Sequence, residues 1–161
     1  MVNLLIKNKM FSLGGHSTVK DENGQDRYVV KGAVFSLRRK KEIYDMNGNL
    51  QYVVKNKLFN LFMKSSYIFD AEGNKIAQLK QKFKMFEREF NVLGFKDEIS
   101  IQGDIIQHSM DIFRNGEKIG EVGKKFISLV DQFNLISFKD EDAPFLVALI
   151  VGLDNINDRN K

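Results

Sequence analysis

Cysteine is absent from the 161-residue sequence, and proline occurs once, at Pro144. The lack of cysteine excludes disulfides, thiolate nucleophiles, cysteine-based zinc sites and iron–sulfur clusters. It also fits a reducing compartment, where structural disulfides are rare. No stretch of the sequence is of low complexity or typical of a linker. A chain of this length, with 43% hydrophobic and 29% charged residues, predicts a single packed domain over residues 1–161.

Arginine is scarce, with six arginines beside nineteen lysines, and the formal net charge is +4. This small positive excess weakly favours anionic partners. Lysine lacks the planar fork with which arginine binds phosphate or guanine, so nucleic-acid recognition gains little support. The N-terminal apolar run, Val2 to Ile6, is too short for a signal peptide, and no small-residue cleavage site follows it. We therefore expect a cytoplasmic protein without a transmembrane segment, which allows peripheral contact with the inner face of a membrane.

Turn-forming pairs recur along the chain at near-regular spacing. Asn-Gly between two alternating segments is a strong hairpin signal, because both residues tolerate the positive φ of a primed two-residue turn. The glycines of these turn signals are Gly24, Gly48, Gly73, Gly94 and Gly116. Their spacing corresponds to about two strands plus a turn, which predicts five hairpins.

The segments between the turns alternate apolar and polar residues. This period of two is typical of strands and is clear in residues 41–45, 66–70 and 86–92. Five hairpins supply ten strands, and residues 2–7 and 131–138 raise the number to about twelve. We predict a mainly β fold in which these strands close into an antiparallel barrel, because closure removes exposed edges. A two-sheet sandwich is the alternative.

The longest apolar run covers residues 143–153, near the C-terminus. Asp142 is a suitable N-cap, and Pro144 falls in the first turn, where proline is tolerated. Eleven helical residues span about 16 Å, too short for a bilayer core of about 30 Å. A helix that is apolar on every face must be surrounded, so we predict that it fills the barrel. We expect the polar residues Asp154, Asn155, Asn157 and Asp158 to follow it. A strand is the alternative, because several residues of the run are β-branched.

Together these features resemble the LURP-one-related family. The resemblance depends on the hairpin repeat, on recurring Lys-x-Lys-apolar-Phe segments, and on residues 101–105, 131–135 and 148–154. The family is part of the tubby C-terminal-like superfamily, to which the phospholipid scramblases are related in fold. The resemblance implies a twelve-stranded barrel around a hydrophobic C-terminal helix. Tubby-like domains bind phosphoinositides and scramblases act on phospholipids, but no lipid-binding motif of tubby proteins maps residue by residue onto this sequence.

The Lys-x-Lys-apolar-Phe segments alternate along the chain with the turn signals. In an antiparallel meander, alternate connections lie at opposite ends, so one rim should carry the turns and the other these basic corners. We expect the turn rim to be acidic, through Asp21, Glu22, Asp45, Asp70, Glu72 and Glu117. The candidate lipid- or anion-binding residues of the opposite rim are Lys7, Lys9, Lys31, Arg38, Arg39, Lys40, Lys41, Lys55, Lys57, Lys80, Lys82, Lys124 and Lys125.

A basic rim with interleaved phenylalanines suits an anionic membrane surface, where each Lys or Arg contributes about 1 kcal/mol. The phenylalanines are Phe11, Phe35, Phe59, Phe62 and Phe83. Alternatively they fold inward and plug the barrel. We expect a non-enzymatic binding module for anionic phospholipid or a membrane surface. The alternative is a protein-interaction or scaffold domain of unknown partner, which works through the barrel wall and has no lipid or catalytic role.

Catalytic and cofactor motifs are missing from the sequence. The two histidines, His16 and His108, are far apart, and adjacent strand residues point to opposite faces, which opposes pairing of His108 with Ser109. No phosphate-binding loop is present, and the acidic run 140–142 lacks the spacing of a calcium loop. We therefore predict no enzymatic activity, no cofactor and no metal site.

Overall fold

Twelve strands and one α-helix make up most of the computed structural model, which describes residues 1–7, 16–33, 36–58, 65–83, 88–104, 109–127 and 130–157. The strands are β1 (Val2–Lys7), β2 (His16–Asp21), β3 (Asp26–Gly32), β4 (Lys41–Asp45), β5 (Leu50–Asn56), β6 (Ser65–Asp70), β7 (Lys75–Phe83), β8 (Arg88–Gly94), β9 (Ile99–Asp104), β10 (Ser109–Arg114), β11 (Glu117–Ile127) and β12 (Val130–Ser137). A 3₁₀ turn (Asp140–Asp142) leads into the helix α1 (Ala143–Asn157).

All twelve strands belong to one antiparallel sheet, in the order β8-β7-β6-β5-β4-β3-β2-β1-β12-β11-β10-β9. β1 pairs with β12, with Val2 opposite Ser137 and Lys7 opposite Gln132. The two strands at the ends of this order, β8 and β9, lie side by side, but no ladder joins them in the part of the chain that the structure describes. The sheet is thus a nearly closed barrel, which confirms the predicted architecture and rules out the two-sheet sandwich.

The hairpin at residues 45–49 does not have the primed two-residue turn that Asn-Gly predicts. Of its residues only Gly48 has positive φ (83°), and the backbone amide of Gly48 donates to the carbonyl of Asp45 at 3.1 Å. A register shift follows Ile43, as in a three-residue loop with a left-handed glycine and a bulge. The same geometry occurs at Gly24 and Gly73. A primed turn, with positive φ at both residues, occurs at residues 115–116.

The predicted Leu93-Gly94 turn is wrong, because both residues belong to the end of β8. The connection to β9 covers residues 95–98 instead. Gly94 is required there for a steric reason: a Cβ atom at this position would lie 1.8 Å from the carbonyl oxygen of Asp97. The glycine therefore permits the chain to fold back tightly, without supplying a positive φ.

The C-terminal helix lies inside the barrel, as predicted, and is buried from Phe145 to Ile156. It has fifteen residues and a length of about 22 Å, one turn longer than expected. Asp154 and Asn155, predicted to follow the helix, belong to its last turn and are buried. Asn155 is accommodated there because its amide donates to the carbonyl of Arg39 at 3.0 Å. Within the described ranges, no helix combines the length and apolar character needed to cross a bilayer.

Two glycines mark places where helix and wall approach most closely. A Cβ atom at Gly152 on the helix would lie 2.8 Å from Leu79 Cδ1 on β7. A Cβ atom at Gly120 on β11 would lie 2.6 Å from Leu146 Cδ1 on the helix and 2.6 Å from the carbonyl oxygen of Ile136. The helix therefore contacts two separate parts of the wall through positions where no side chain fits.

Candidate functional site

The antiparallel order sorts the connections to two ends of the barrel. One end, the turn pole, carries the hairpin connections at residues 22–25, 46–49, 71–74, 95–98 and 115–116. The other end, the corner pole, is where β1, β3, β5, β7, β9 and β11 end. The turns thus gather at one end as predicted. The basic corners fall in large part outside the described residues.

Carboxylates at the turn pole are constituents of the turns. Asp45 accepts the backbone amides of Asn47 and Asn49 at 2.9 and 2.8 Å, and the side-chain amide of Asn49 at 2.9 Å. These hydrogen bonds, led by that from the Asn49 side chain, hold the pKa of Asp45 below its usual value. Asn74 lowers the pKa of Asp70 in the same way. Asp45 and Asp70 therefore stay ionised while their carboxylates hold their own loops together.

Exposed cations occur at the corner pole. Arg38 and Lys57 are both exposed, one in the loop after β3 and one directly after β5. The backbone amide of Asn56 donates to the Arg38 carbonyl at 2.7 Å, which holds these two segments together. Lys40 is less available, because its ammonium group pairs with Glu42 at 2.5 Å and lowers the pKa of that carboxylate.

The expectation that Lys41 lies on the basic rim is wrong, since its side chain is only 3% exposed. Lys41 precedes Ile43 by two residues on β4, and residues two apart in a strand share a face. Ile43 is fully buried, so the side chain of Lys41 also points into the barrel. The run 38–41 therefore does not present four cations to one surface.

Arg39 is half-buried and has a positive φ of 47°, unusual for a residue with a side chain. Its carbonyl accepts from the buried Asn155, and the side-chain amide of Asn56 donates to the Asn155 carbonyl at 3.2 Å. The loop 36–40 therefore packs on the C-terminal end of the helix. This polar junction closes part of the corner pole.

A second basic surface lies on the outer wall, and the sequence reasoning missed it. Lys55 Nζ lies 5.0 Å from the ring centroid of Phe69, and Lys75 Nζ lies 4.3 Å from that of Tyr67 and 5.5 Å from that of Phe95. The rings of Tyr67 and Phe69 are 6.3 Å apart. Together with the half-exposed Leu93, these residues form what we call the aromatic wall. Its signal in the sequence is the pair of aromatic residues flanking the buried Ile68.

Lys31 and Lys80 complete the predicted rim candidates whose side chains are described. Lys31 is exposed and lies 4.5 Å from the ring centroid of Tyr44, while Lys80 is half-buried on β7. Of the other rim candidates, only the backbone is described for Lys7, Lys82, Lys124 and Lys125, which lie in the parts of their strands that lead to the corner pole. The same is true of Phe83, whereas Lys9, Phe11, Phe35, Phe59 and Phe62 lie outside the described residues.

The histidines do not form a described catalytic group. His16 is exposed at the start of β2, opposite Lys31, and His108 lies outside the described residues. Across the described segments, no group of three or more His, Asp and Glu side chains could hold a metal ion.

Arg114 connects three parts of the turn pole. Its guanidinium donates to the carboxylate of Asp142, which is 4% exposed, and lies 4.9 Å from the ring centroid of Phe145. Its Nε is 3.9 Å from a carboxylate oxygen of Asp97 in the connection from β8 to β9. Phe145 meets Tyr52 of β5 edge to face at 6.0 Å. The role predicted for Asp142 was helix capping, whereas its carboxylate binds Arg114 on the wall.

A family model for LURP-one-related proteins matches residues 2–154. The chain belongs to the LURP-one-related family. The X-ray structure of a protein from Arabidopsis thaliana is similar to it, with a TM-score of 0.67 and 19% sequence identity over 97% of this chain and 91% of that chain. At this identity the likeness shows the fold alone. No curated protein matches the sequence.

Two groups of cations stand out on the surface of this LURP-one-related barrel. Arg38 and Lys57 lie at the corner pole, whereas Lys55 and Lys75 lie over aromatic rings on the outer wall. The family is not a known enzyme family.

Proposed function

We propose that the protein is a non-enzymatic module that binds anionic phospholipid at a membrane surface through its corner pole. The observation that carries the proposal is the separation of charge along the barrel axis. Arg38 and Lys57 are exposed at the corner pole, and the strands that end there also carry the lysines of the basic repeat. The hairpin carboxylates of Asp45 and Asp70 lie at the opposite pole.

Such a molecule has a preferred orientation on a negative surface. Each Lys or Arg near an anionic bilayer contributes about 1 kcal/mol, and the attraction decays within a Debye length of about 8–10 Å. The barrel should therefore stand with its corner pole toward the headgroups and its acidic turns away. In a cell, the cytoplasmic leaflet would supply this surface.

Vesicle co-sedimentation with charge-reversal variants tests the proposal. We expect the wild type to bind vesicles containing phosphatidylserine and not pure phosphatidylcholine, with binding that falls as salt rises. The variant R38E/K57E should bind markedly less. The matched control K96E/K139E reverses two exposed cations at the turn pole and has the same net charge, so it should bind like the wild type.

Two results would contradict the proposal. One is binding to anionic vesicles that is unaffected by R38E/K57E. The other is equal weakening by R38E/K57E and K96E/K139E, because net charge alone would then explain the affinity. A protein-interaction role, with no lipid ligand, is the second candidate function, and the aromatic wall is the observation that favours it.

A further inference from the structure

Lysines of the aromatic wall differ from the ion-paired lysines on the barrel surface. On the opposite side of the barrel, Lys20 pairs with Asp26 at 2.6 Å, and Lys118 pairs with Asp111 and Glu121 at 3.1 and 2.5 Å. Lys55 and Lys75 instead lie over rings, and no carboxylate of the described chain forms an ion pair with either. Their charges are therefore available to an external anion.

The cross-strand register places these groups in two adjacent rows across the strands. In one row Lys55 of β5 is opposite Tyr67 of β6, and the row continues through Gln78 to Leu93 of β8. In the other row, Phe69 of β6 is opposite Lys75 of β7. The aromatic pair on β6 therefore has one lysine on each side.

The spacing of the two lysines sets the length of a matching ligand. β5 and β7 are two strands apart, which corresponds to about 10 Å between Lys55 and Lys75 in the direction across the strands. A polypeptide in the polyproline II conformation has three residues per turn and advances about 3.1 Å per residue, so carboxylates three residues apart lie on one face and match this separation. Apolar side chains between them would meet the rings of Tyr67 and Phe69.

We propose that the aromatic wall binds an acidic polypeptide segment, which crosses strands β5 to β8 and places carboxylates on Lys55 and Lys75. Leu93 and Phe95, which are 50% and 49% exposed, extend the apolar contact beyond Lys75. Lys57 lies two residues beyond Lys55, but the rings and Lys75 belong to this surface alone, so the inference does not depend on lipid binding.

A bilayer or a nucleic acid fits the wall less well. At a membrane, apolar side chains must lie deeper than the charged groups, whereas here the ammonium groups of Lys55 and Lys75 lie on the ring faces of Phe69 and Tyr67. The same arrangement occupies the faces on which bases of a single strand would stack. A partner with both carboxylates and apolar side chains satisfies the lysines and the flanking hydrophobic residues together.

Fluorescence anisotropy with a defined peptide tests the inference on the full chain. The probe is a labelled twelve-residue peptide of four Glu-Phe-Ser repeats, and its counterpart has Gln in place of Glu. We expect the Glu peptide to bind in low salt and the Gln peptide to bind about tenfold more weakly. The variant K55E/K75E should bind the Glu peptide at least tenfold more weakly than the wild type. The affinity of the neutral variant K55Q/K75Q should lie between those of K55E/K75E and the wild type.

The matched control is R38E/K139E, which reverses two cations outside the aromatic wall, has the same net charge as K55E/K75E and should bind the Glu peptide like the wild type. Circular dichroism and the midpoint of thermal unfolding establish that each variant is folded. The inference is overturned if K55E/K75E retains peptide affinity, if the Gln peptide binds equally well, or if both double variants lose affinity to the same extent. Loss of phosphatidylserine vesicle binding by K55E/K75E, with peptide binding retained, would make the wall a membrane surface instead.

Discussion

Removal of the guanidinium of Arg114 should destabilise the protein more than loss of any surface ion pair. In the variant Arg114→Met the carboxylate of Asp142, only 4% exposed, keeps its charge but loses its partner. Methionine retains apolar contact with Phe145, so the substitution tests mainly the charge. A buried carboxylate left unpaired in this way costs about 3–5 kcal/mol of the free energy of unfolding.

The variant Asp142→Asn should be milder. In this variant Arg114 loses its charged partner. The Arg114 side chain is 26% exposed and remains near Asp97, so water and the Asp97 carboxylate stabilise its charge. The double variant R114M/D142N has no unpaired buried charge and should be more stable than Arg114→Met alone. The free energies of unfolding of the wild type, the two single variants and the double variant should give a coupling energy of about 2 kcal/mol between Arg114 and Asp142.

Urea unfolding at neutral pH, followed by circular dichroism, measures all four free energies. Lys139→Met is the control, because Lys139 pairs with Glu117 at 2.9 Å on an exposed surface and its loss should cost under about 1 kcal/mol. Additive effects of Arg114→Met and Asp142→Asn would refute the reasoning, since the two groups would then not stabilise each other. A cost for Arg114→Met no larger than that of the control would refute it equally.

Two further substitutions and one pH titration test the packing and the turns. Gly120→Ala should lower the free energy of unfolding, measured in urea, by about 1–3 kcal/mol. The new methyl group would lie 2.6 Å from a backbone carbonyl oxygen and 2.6 Å from Leu146. Unchanged stability would show that the strand can shift to make room for it. Asn56→Ala removes the donor to the helix C-terminal carbonyl and should cost about 1–2 kcal/mol by the same measurement, and a cost near zero would mean that water replaces it. Asp45 has a lowered pKa in the folded state, so its contribution to stability is present above about pH 4 and is lost as the pH falls through the folded value. NMR titration of its carboxyl carbon should give a pKa below that of an unfolded peptide, and an ordinary value would contradict the hydrogen-bond geometry.

The strands and the helix could be predicted because a pattern within a short stretch of sequence indicates each of them. Alternation in residues 41–45 and 66–70 marks an inward and an outward face, and an apolar run of eleven residues can be covered only by the rest of the chain. The primed two-residue turn predicted from Asn-Gly is wrong at Gly24, Gly48 and Gly73. The decisive pattern is Asp-x-x-Gly, as in residues 45–48, where the aspartate binds the loop amides and the glycine takes the left-handed position.

The candidate site was predicted less well than the fold. Charge runs such as Arg38 to Lys41 read as one patch in the sequence, but a strand sends alternate side chains to opposite faces, and Lys41 enters the interior. The aromatic wall was missed because Lys55, Tyr67 and Lys75 meet only through the register of three strands. No segment of sequence contains that arrangement, since it depends on which residues lie opposite one another.

The buried helix also determines at what point during synthesis the barrel can complete its folding. The ladder between Val2 and Ser137 joins segments at the two extremes of the sheet-forming chain, and the helix that fills the interior is made after both. Contacts between segments so distant along the chain form slowly, and until then the inward faces of the early strands have nothing apolar to cover them. A nascent chain that has all twelve strands but lacks residues 143–157 would therefore expose the apolar face of its sheet. It would be prone to aggregation until the helix is synthesised and packs inside the barrel.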